Sequence, residues 1–368
     1  MSVDIGIIGL PKSGRTTIFN ALTGGKANTV SYSRESLSPH LGVARVPEPR
    51  LEALAAILNP KKVTQTEVRY IDVGASVKGL AEDRAVSGEI LGQLSKVDSL
   101  TCVVRAFSDE CVPHLEGSLD TERDITIMDS ELAFSDLVLQ EKRLEKIGDL
   151  LKAAKPPERP ALLREQEMLA RIKHCLEENV PVRELKFTTE ESKILSHFQL
   201  LTAKPLLRVV NIGEDELAQA PSLEAELREC HVGPGSGLLT LCGKLEMELS
   251  QLEATAAQEL RAEYGVLESG LDRTIQLSYE LLGLISFFSI ASGEIRAWPV
   301  RRGTSAQKAA GKIHSDMEKG FIRAEVLSYD DLDKCGSLAE ARQKGLLRLE
   351  GKGYEVQDGD IITFLFNV

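Results

Sequence analysis

The sequence predicts an α/β protein in which a parallel sheet is interrupted by a helical insertion and followed by a small C-terminal domain. Three observations lead to this fold class. Short apolar runs alternate with helical patterns, a heptad pattern of leucines comes between them, and the last part of the chain differs in charge. Nearly continuous apolar runs are typical of parallel strands that helices cover on both faces.

Five apolar runs are predicted to form the strands of the sheet, because each is short, rich in Val, Ile and Leu, and separated from the next by helical patterns. They are Val3–Ile8, Glu67–Val73, Leu100–Phe107, Leu206–Val210 and Leu238–Cys242. Between the third run and the fourth lie about 100 residues without a comparable strand, which indicates an insertion.

The insertion repeats leucine every seven residues on two successive segments. The repeats are Leu137, Leu144 and Leu151 with Ile147 between them, then Leu162, Leu169 and Leu176 with Ile172. Heptad spacing on two neighbouring helices predicts an antiparallel coiled-coil arm. The link Lys155–Pro160 contains three prolines, which cannot continue a helix. The alternative is a pair of amphipathic helices packed flat on the main domain.

The C-terminal segment has a neutral charge balance. Residues 283–368 contain 12 basic and 12 acidic side chains, so the net charge of −12 belongs to residues 1–282. The turn at Asp358–Gly359 precedes Ile361–Val368, in which alternate residues are apolar. A small mixed α/β or β-rich domain is expected here.

Composition excludes several classes of protein. A chain of 368 residues with a net charge of −12 is not expected to wrap DNA through its overall field. The six cysteines form no CxxC pair, which argues against a zinc site or a disulfide framework and favours a reducing compartment. No run approaches the 18 apolar residues of a membrane span. We therefore expect a cytoplasmic protein without a membrane partner.

The residues after the first strand carry the strongest motif. Residues 9–17 follow the phosphate-loop pattern GxxxxGK[ST] with arginine in place of lysine, and a helical segment follows. Loop amides and the helix N-terminus suit phosphate oxygens. The predicted nucleotide-binding residues are Lys12, Ser13, Gly14, Arg15, Thr16 and Thr17. Thr16 would bind Mg²⁺, and Arg15 would either hold the β- and γ-phosphates or swing out of the loop. The alternative is a glycine-rich turn that binds nothing.

Two later strands end in polar residues that suit a nucleotide site. Asp72 ends the second strand, where it would reach Mg²⁺ through water, although a turn or helix cap is an alternative. Asn211 and Glu214 follow the fourth strand and are predicted to read a purine base, because ligands of such sheets bind at the carboxyl ends of strands.

Several segments together resemble the YchF branch of the Obg-like P-loop NTPases over essentially the full length. They are residues 9–11, 47–51, 77–79, 103–107, 211–214, 296–298 and 356–360, and above all Ile313–Val326. The last of these resembles the signature of the family's C-terminal TGS domain.

The resemblance implies a Ras-like NTPase core with an inserted coiled-coil arm and a C-terminal β-grasp (TGS) domain. The expected segments are 1–126 (core, first part), 127–200 (arm), 201–280 (core, second part) and 281–368 (TGS). It also implies a preference for ATP over GTP, because NxxE replaces the usual NKxD, whose aspartate accepts two guanine N–H groups. The ribosome is the implied partner, and Mg²⁺ the implied cofactor.

The chain departs from the family at several positions. Arg15 replaces the lysine of the loop, and Ala75 replaces a glycine. Ser36 stands where a threonine reaches Mg²⁺ and, since it keeps a hydroxyl, is expected to bind Mg²⁺ with Thr16. Switch II loses its glycines over residues 83–87. His114 aligns with a family histidine proposed to act in hydrolysis; a surface histidine without that role is the alternative.

Three functions therefore remain open at the level of the sequence. The first is an ATP-preferring, Mg²⁺-dependent ribosome-associated ATPase in which Arg15 and His114 act in hydrolysis. The second is a non-hydrolysing nucleotide sensor or scaffold, and the third, weaker one is a GTPase. Four basic residues of the TGS segment would form a local basic face for ribosomal RNA or be ordinary surface charge; they are Arg301, Arg302, Lys308 and Lys312.

Overall fold

The computed structural model describes residues 3–25, 39–73, 90–114 and 117–367. Four features discussed above lie outside these residues: Ser36, Ala75, residues 77–79 and the switch II stretch 83–87. No helix within the described ranges is long and apolar enough to cross a membrane.

The strands of the described residues belong to two sheets. They are β1 (Val3–Gly9), β2 (His40–Arg45), β3 (Lys62–Thr64), β4 (Glu67–Asp72), β5 (Ser99–Ala106), β6 (Leu206–Ile212), β7 (Ser236–Leu241), β8 (Leu284–Ala291), β9 (Glu294–Arg301), β10 (Phe321–Ser328), β11 (Arg348–Glu350) and β12 (Asp360–Phe366). All five predicted strands of the parallel sheet are confirmed, with ends displaced by one or two residues.

The α-helices with fully described bounds are α1 (Arg15–Thr23), α2 (Pro49–Leu58), α3 (Thr121–Ala153), α4 (Arg159–Glu177), α5 (Thr189–Leu195), α6 (Ala220–His231), α7 (Gly243–Leu249), α8 (Ala254–Glu263), α9 (Gly270–Leu281), α10 (Ala306–Ile313), α11 (Ser315–Lys319), α12 (Tyr329–Cys335) and α13 (Leu338–Gln343). Short 3-10 helices cover Val182–Glu184, Leu201–Ala203 and Glu214–Gln219.

The first sheet has the strand order β2-β4-β1-β5-β6-β7. The pairs β1/β5, β5/β6 and β6/β7 are parallel. Every residue of β5, β6 and β7 is buried, as the apolar runs predict for strands covered on both faces. Edge strand β2 was not predicted; Leu41 and Val43 on it are exposed, so it lacks the continuous apolar pattern.

Helices α3 and α4 form the predicted arm, which follows β5 and precedes β6. Ile147, Leu169 and Ile172 are fully buried in one cluster, and the other heptad leucines pack on it. Arg143 Nε lies 2.7 Å from Glu165 Oε1, so an ion pair also joins the two helices. The loop between them is shorter than predicted, because Pro160 lies in the first turn of α4, where a missing N–H costs no helical bond.

The second sheet has the order β11-β10-β12-β8-β9-β3. Strand β12 contributes Ile362 and Phe364 to a buried cluster, as the alternation in the last segment predicts. Strand β3 joins this sheet through a parallel pairing with β9. Leu51 and Leu54 of α2 are buried against residues of β8 and β9.

The described residues form two compact units. One combines Ala44–Val68 with Ile275–Val368, and the other spans Asp4–Val43 and Arg69–Thr274, as far as the described residues reach. The predicted segmentation put residues 44–68 in the NTPase core, whereas they pack with the C-terminal sheet, because their apolar side chains and β3 find partners there. The four segment boundaries themselves stay a prediction.

Candidate functional site

Two glycines allow the loop after β1 to pass close to neighbouring strands. Gly14 has a φ of 86°, a conformation that favours glycine, and a Cβ there would collide with Asn211 Nδ2. A Cβ on Gly9 would lie 2.6 Å from the carbonyl oxygen of Val103. The loop therefore requires glycine at both positions of the predicted motif.

Helix α1 begins directly after this loop without a side-chain cap. Gly14 is its N-cap residue and offers no side chain to the first N–H groups. The backbone N–H of Ile18 donates to the carbonyl of Gly14 at 3.0 Å, which starts the helical pattern. The N–H groups before Ile18 are those that helices leave without an intrahelical partner. This is the arrangement in which helix N-termini bind phosphate.

The remaining loop residues differ in their exposure. Lys12 is exposed, has a φ of 65°, and donates from Nζ to the carbonyl of Pro113 at 3.3 Å. Ser13 is 2% exposed. Thr17 is half-buried on the first turn of α1. The segment that ends at residue 114 therefore lies beside the phosphate loop.

Arg15 is buried and turned towards the end of β4. Its Nε lies 2.7 Å from Asp72 Oδ1, and the side chains are 9% and 1% exposed. Thr16 Oγ1 donates to the other oxygen, Asp72 Oδ2, at 3.1 Å. The guanidinium of Arg15 therefore stays within the site rather than swinging out of the loop, and its contact with the phosphates stays a prediction.

The side chains of Thr16 and Asp72 fit a magnesium site. Mg²⁺ prefers oxygen ligands and is bound in many nucleotide sites by one or two protein groups, phosphates and water. The hydroxyl of Thr16 and the carboxylate of Asp72 are such ligands and lie within hydrogen-bond distance of each other. Over the described residues, no group of three or more His, Cys, Asp or Glu side chains is placed to hold a metal alone.

Asn211 connects the phosphate loop to the start of α7. Its Nδ2 donates to the carbonyl of Ser13 at 3.0 Å, and its Oδ1 accepts from the backbone N–H of Gly243 at 2.9 Å. The side-chain amide has two N–H groups, and the bond to Ser13 engages one of them. The predicted base-reading residue therefore also fixes the loop.

Glu214 is held at the same edge of the sheet by two side chains. Lys244 Nζ lies 2.8 Å from Glu214 Oε1, and Tyr264 donates its hydroxyl to Oε2 at 3.5 Å. The hydrogen bond from Lys244 raises the pKa of that amine, and the negative charge of Glu214 raises the pKa of the Tyr264 phenol. The carboxylate is thus engaged by a cation rather than left open.

His114 is bound to the first turn of the arm. Its Nε2 lies 2.8 Å from Asp124 Oδ2, and the two side chains are 10% and 3% exposed. Asp124 also accepts hydrogen bonds from Nε and Nη2 of Arg123. The imidazole is therefore placed near the phosphate loop by an acid of α3, and its action on water stays a prediction.

Three residues at this site escaped the sequence analysis. His40 Nδ1 lies 3.9 Å from Asp72 Oδ2. Arg105 is 5% exposed, and its guanidinium lies 4.4 Å from the centre of the Phe107 ring, which in turn lies beside Gly14. Burial lowers the pKa of Arg105. No local pattern marks His40, whereas Arg105 and Phe107 fall in a segment noted only for its resemblance.

Comparison with known proteins gives matches over the full length. A protein from Bacillus subtilis named "Ribosome-binding ATPase YchF" is 40% identical over 370 residues and covers 100% of both chains. Proteins of the same name from Mycoplasma genitalium and Escherichia coli O157:H7 are 36% and 33% identical over 99% and 100% of both chains.

A family profile and a solved structure match as well. Residues 284–367 match the family YchF-GTPase_C, described as a protein of unknown function (DUF933). The structure described as the Schizosaccharomyces pombe YchF GTPase superposes with a TM-score of 0.84 at 29% identity, covering 99% of this chain and 98% of that chain. This likeness confirms the predicted fold class.

Proposed function

This chain belongs to the YchF family, and on that premise we propose that it is a cytoplasmic, ribosome-associated protein that binds ATP with Mg²⁺ and hydrolyses it slowly. The relatives named above are called ribosome-binding ATPases over their full length. The three-way contact of Arg15, Thr16 and Asp72 carries the nucleotide part of the proposal. A basic side chain, a hydroxyl and a carboxylate meet there at the start of an uncapped helix.

The protein groups act by positioning the phosphates and neutralising their charge, because phosphoryl transfer requires little covalent chemistry from the protein. The loop amides and the start of α1 bind the phosphate oxygens. Thr16 and Asp72 would hold Mg²⁺, which neutralises phosphate charge when it is bound. Arg15 is paired through its Nε with Asp72, 2.7 Å away, and part of this pairing would be exchanged for phosphate. This exchange of a buried ion pair favours slow turnover.

Discrimination between bases is assigned to Asn211 and Glu214. The free N–H of the Asn211 amide serves an acceptor nitrogen that adenine and guanine share. Glu214 is engaged by Lys244, which withdraws the carboxylate from the guanine N–H groups that an aspartate would accept. Adenine makes no such demand, so ATP is the proposed ligand and GTP the weaker one. Neither DNA nor a membrane is a proposed partner.

Ribosome association is assigned to the unit that contains the C-terminal sheet. Arg301, Arg302, Lys308 and Lys312 are exposed, and none forms an ion pair within the described part of the chain. Lys308 and Lys312 are four residues apart on α10 and so share one face of that helix. Unpaired cations on one face suit the phosphates of ribosomal RNA.

The decisive experiment measures binding and turnover separately. Fluorescent ATP and GTP analogues are titrated with Mg²⁺ or with a chelator, and phosphate release is then followed with and without ribosomes. Thr16→Ala should abolish the Mg²⁺ dependence of binding, whereas Thr126→Ala, an exposed threonine of α3, should not. Failure to bind either nucleotide would refute the proposal.

A non-hydrolysing scaffold is the second candidate, because Asp72 holds the arginine of the loop. Tight ATP binding without phosphate release, even on ribosomes, would select it. Tighter binding of GTP than of ATP would instead select a GTPase.

A further inference from the structure

A cavity of about 290 Å³ opens at the end of the first sheet where β6 and β7 begin. The phosphate loop follows the carboxyl end of β1, and β1, β5, β6 and β7 run parallel. The cavity therefore lies at the amino ends of these strands, and the phosphate loop lies at their carboxyl ends. Polar residues that line the cavity include Asp129, Arg183, Thr202, Arg208, Cys230 and His231.

One of the two arginines in this cavity is fully engaged. Arg208 is 4% exposed. Its Nη2 donates to both carboxylate oxygens of Asp129, at 2.8 and 2.7 Å, and its Nη1 donates to the carbonyl of His231 at 2.9 Å. The charge of Arg208 is therefore balanced by Asp129.

The other arginine has no such partner. Arg183 Nη1 donates to the carbonyl of Thr202 at 3.3 Å, but no carboxylate of the described residues lies within ion-pair distance of the guanidinium. Burial and, after it, the charge of Arg208 lower the pKa of Arg183 to about 10, so it remains a cation at neutral pH.

The acids around Arg183 are either committed elsewhere or exposed. Asp129 binds Arg208, while Asp136 accepts the N–H groups of Leu201 and Thr202 and the hydroxyl of Thr202. Glu184 is exposed. Two enclosed nitrogens, Arg183 Nε and His231 Nε2, also have no hydrogen-bond partner among the described residues. Arg183 is half-buried, and a partly desolvated cation without a counter-ion is unfavourable; an anion in the cavity would remove that cost.

We propose that this cavity binds a phosphate group, free or as the monoester of a small metabolite, with Arg183 as its counter-ion and His231 as a second donor. A guanidinium fork suits a phosphate oxyanion, which accepts two parallel hydrogen bonds from it. The volume of about 290 Å³ exceeds what a free phosphate fills, and it approaches the lower end of small-molecule sites. The site is separate from the nucleotide site.

Two exposed cysteines allow ligand binding at the cavity and at the phosphate loop to be followed separately. Cys230 lines the cavity. Cys111 lies two residues before Pro113, whose carbonyl accepts from Lys12 of the phosphate loop. Both cysteines are exposed, so the rate at which each is alkylated can be followed separately by peptide mass spectrometry.

The test measures alkylation by iodoacetamide during titration with inorganic phosphate or ribose 5-phosphate, at constant ionic strength set with chloride. At about ten times Kd, the alkylation of Cys230 should be about tenfold slower. Arg183→Gln should raise the phosphate concentration that gives half-maximal protection about tenfold or more, because a charge-assisted hydrogen bond is lost. Arg171→Gln removes the same charge from the exposed face of α4 and should leave the protection intact.

Several outcomes would overturn the proposal. They are no protection of Cys230, protection of Cys111 alone, equal protection by acetate, and full protection in Arg183→Gln. Circular dichroism checks that the variant folds; should it not, Arg183→Lys, which keeps the charge but loses the fork, must reduce protection. Equal half-saturation by both probes would indicate free phosphate as the ligand, and tighter binding of ribose 5-phosphate would indicate a monoester.

Discussion

At the scale of single residues, the arginine at position 15 distinguishes this phosphate loop from the usual sequence pattern. In a usual loop a lysine offers a single point charge, whereas the planar guanidinium is forked and can pair with a carboxylate. Here it does so with Asp72, and both side chains are buried. The basic group of the loop and the carboxylate proposed to bind Mg²⁺ are therefore engaged with each other.

Replacing Arg15 by lysine tests this pairing. We expect Arg15→Lys to raise ribosome-stimulated phosphate release about tenfold, equivalent to about 1.4 kcal/mol of activation free energy, because an ammonium leaves Asp72 more readily. Phosphate release under saturating ATP is the measurement. Arg69→Lys, at an exposed arginine paired with Asp4, is the control. An unchanged rate would shift the cause of slow turnover away from Arg15.

A second prediction for a single residue concerns Glu214. Shortening it in Glu214→Asp removes the reach to Lys244, now 2.8 Å from Oε1, and restores the acceptor that guanine requires. The ratio of GTP to ATP affinity should rise about tenfold, the discrimination of a good bidentate contact. Nucleotide titrations measure it, with Glu248→Asp on the exposed face of α7 as the control. A constant ratio would contradict the role given to Glu214.

At the scale of elements, the arm is stabilised by the apolar side chains that α3 and α4 bury against each other. Ile147 is 0% exposed and Leu150, on the same helix, is 41% exposed. We expect Ile147→Ala to destabilise the arm by about 2–5 kcal/mol and Leu150→Ala by no more than about 0.5 kcal/mol. Hydrogen exchange of α3 and α4 measures both, and nucleotide affinity should stay unchanged. Equal effects of the two substitutions would contradict the packing.

The contact of α7 with the start of α9 is predicted to depend on pH. Glu246 Oε1 accepts from the backbone N–H of Gly270 at 2.7 Å, and burial raises the pKa of Glu246 above 4.5. Burial also raises the pKa of Asp272 above 3.8. Between the unfolded and the raised folded pKa the native state binds more protons than the unfolded state, so stability falls as pH rises through that window.

The variant Glu246→Gln keeps an oxygen for Gly270 but cannot ionise. Its free energy of unfolding should therefore change less with pH from 4.5 up to the raised pKa than that of the wild type. Denaturation curves over this range give the slopes, with Glu248→Gln as the exposed control. A slope identical to the wild type would rule out Glu246 as the titrating group.

At the scale of the whole molecule, charge is divided between the N-terminal and C-terminal parts of the chain. Residues 283–368 are neutral, and the excess of negative charge lies in residues 1–282. The proposed RNA contact would therefore depend on a local arrangement of cations. Lys308 and Lys312 provide one on α10.

Reversal of these two charges should weaken ribosome binding. We expect Lys308→Glu with Lys312→Glu to lower the affinity about tenfold or more at low salt and to reduce its dependence on salt, since fewer counter-ions are released. Sedimentation with ribosomes at several salt concentrations is the measurement. Lys334→Glu with Arg342→Glu makes the same change of charge elsewhere in this unit. Equal losses in both variants would indicate a general effect of charge.

The sequence by itself determined the features that local pattern encodes. Residues 9–17 predict the phosphate loop, heptad leucines predict the arm, and alternation near residue 362 predicts the last strand, because each depends on propensity and periodicity over a few turns. The polar ends of β4 and β6 could also be placed, since parallel strands end at a common edge.

Only the tertiary structure decided which distant side chains meet. Asp72 pairs with Arg15, and Asn211 holds Ser13 from 198 residues away. Residues 44–68 pack with the C-terminal sheet although they come early in the chain. The cavity around Arg183 is likewise built from separate segments. Such contacts depend on how helices and strands pack, and packing is set by the shape and burial of whole faces rather than by any local pattern.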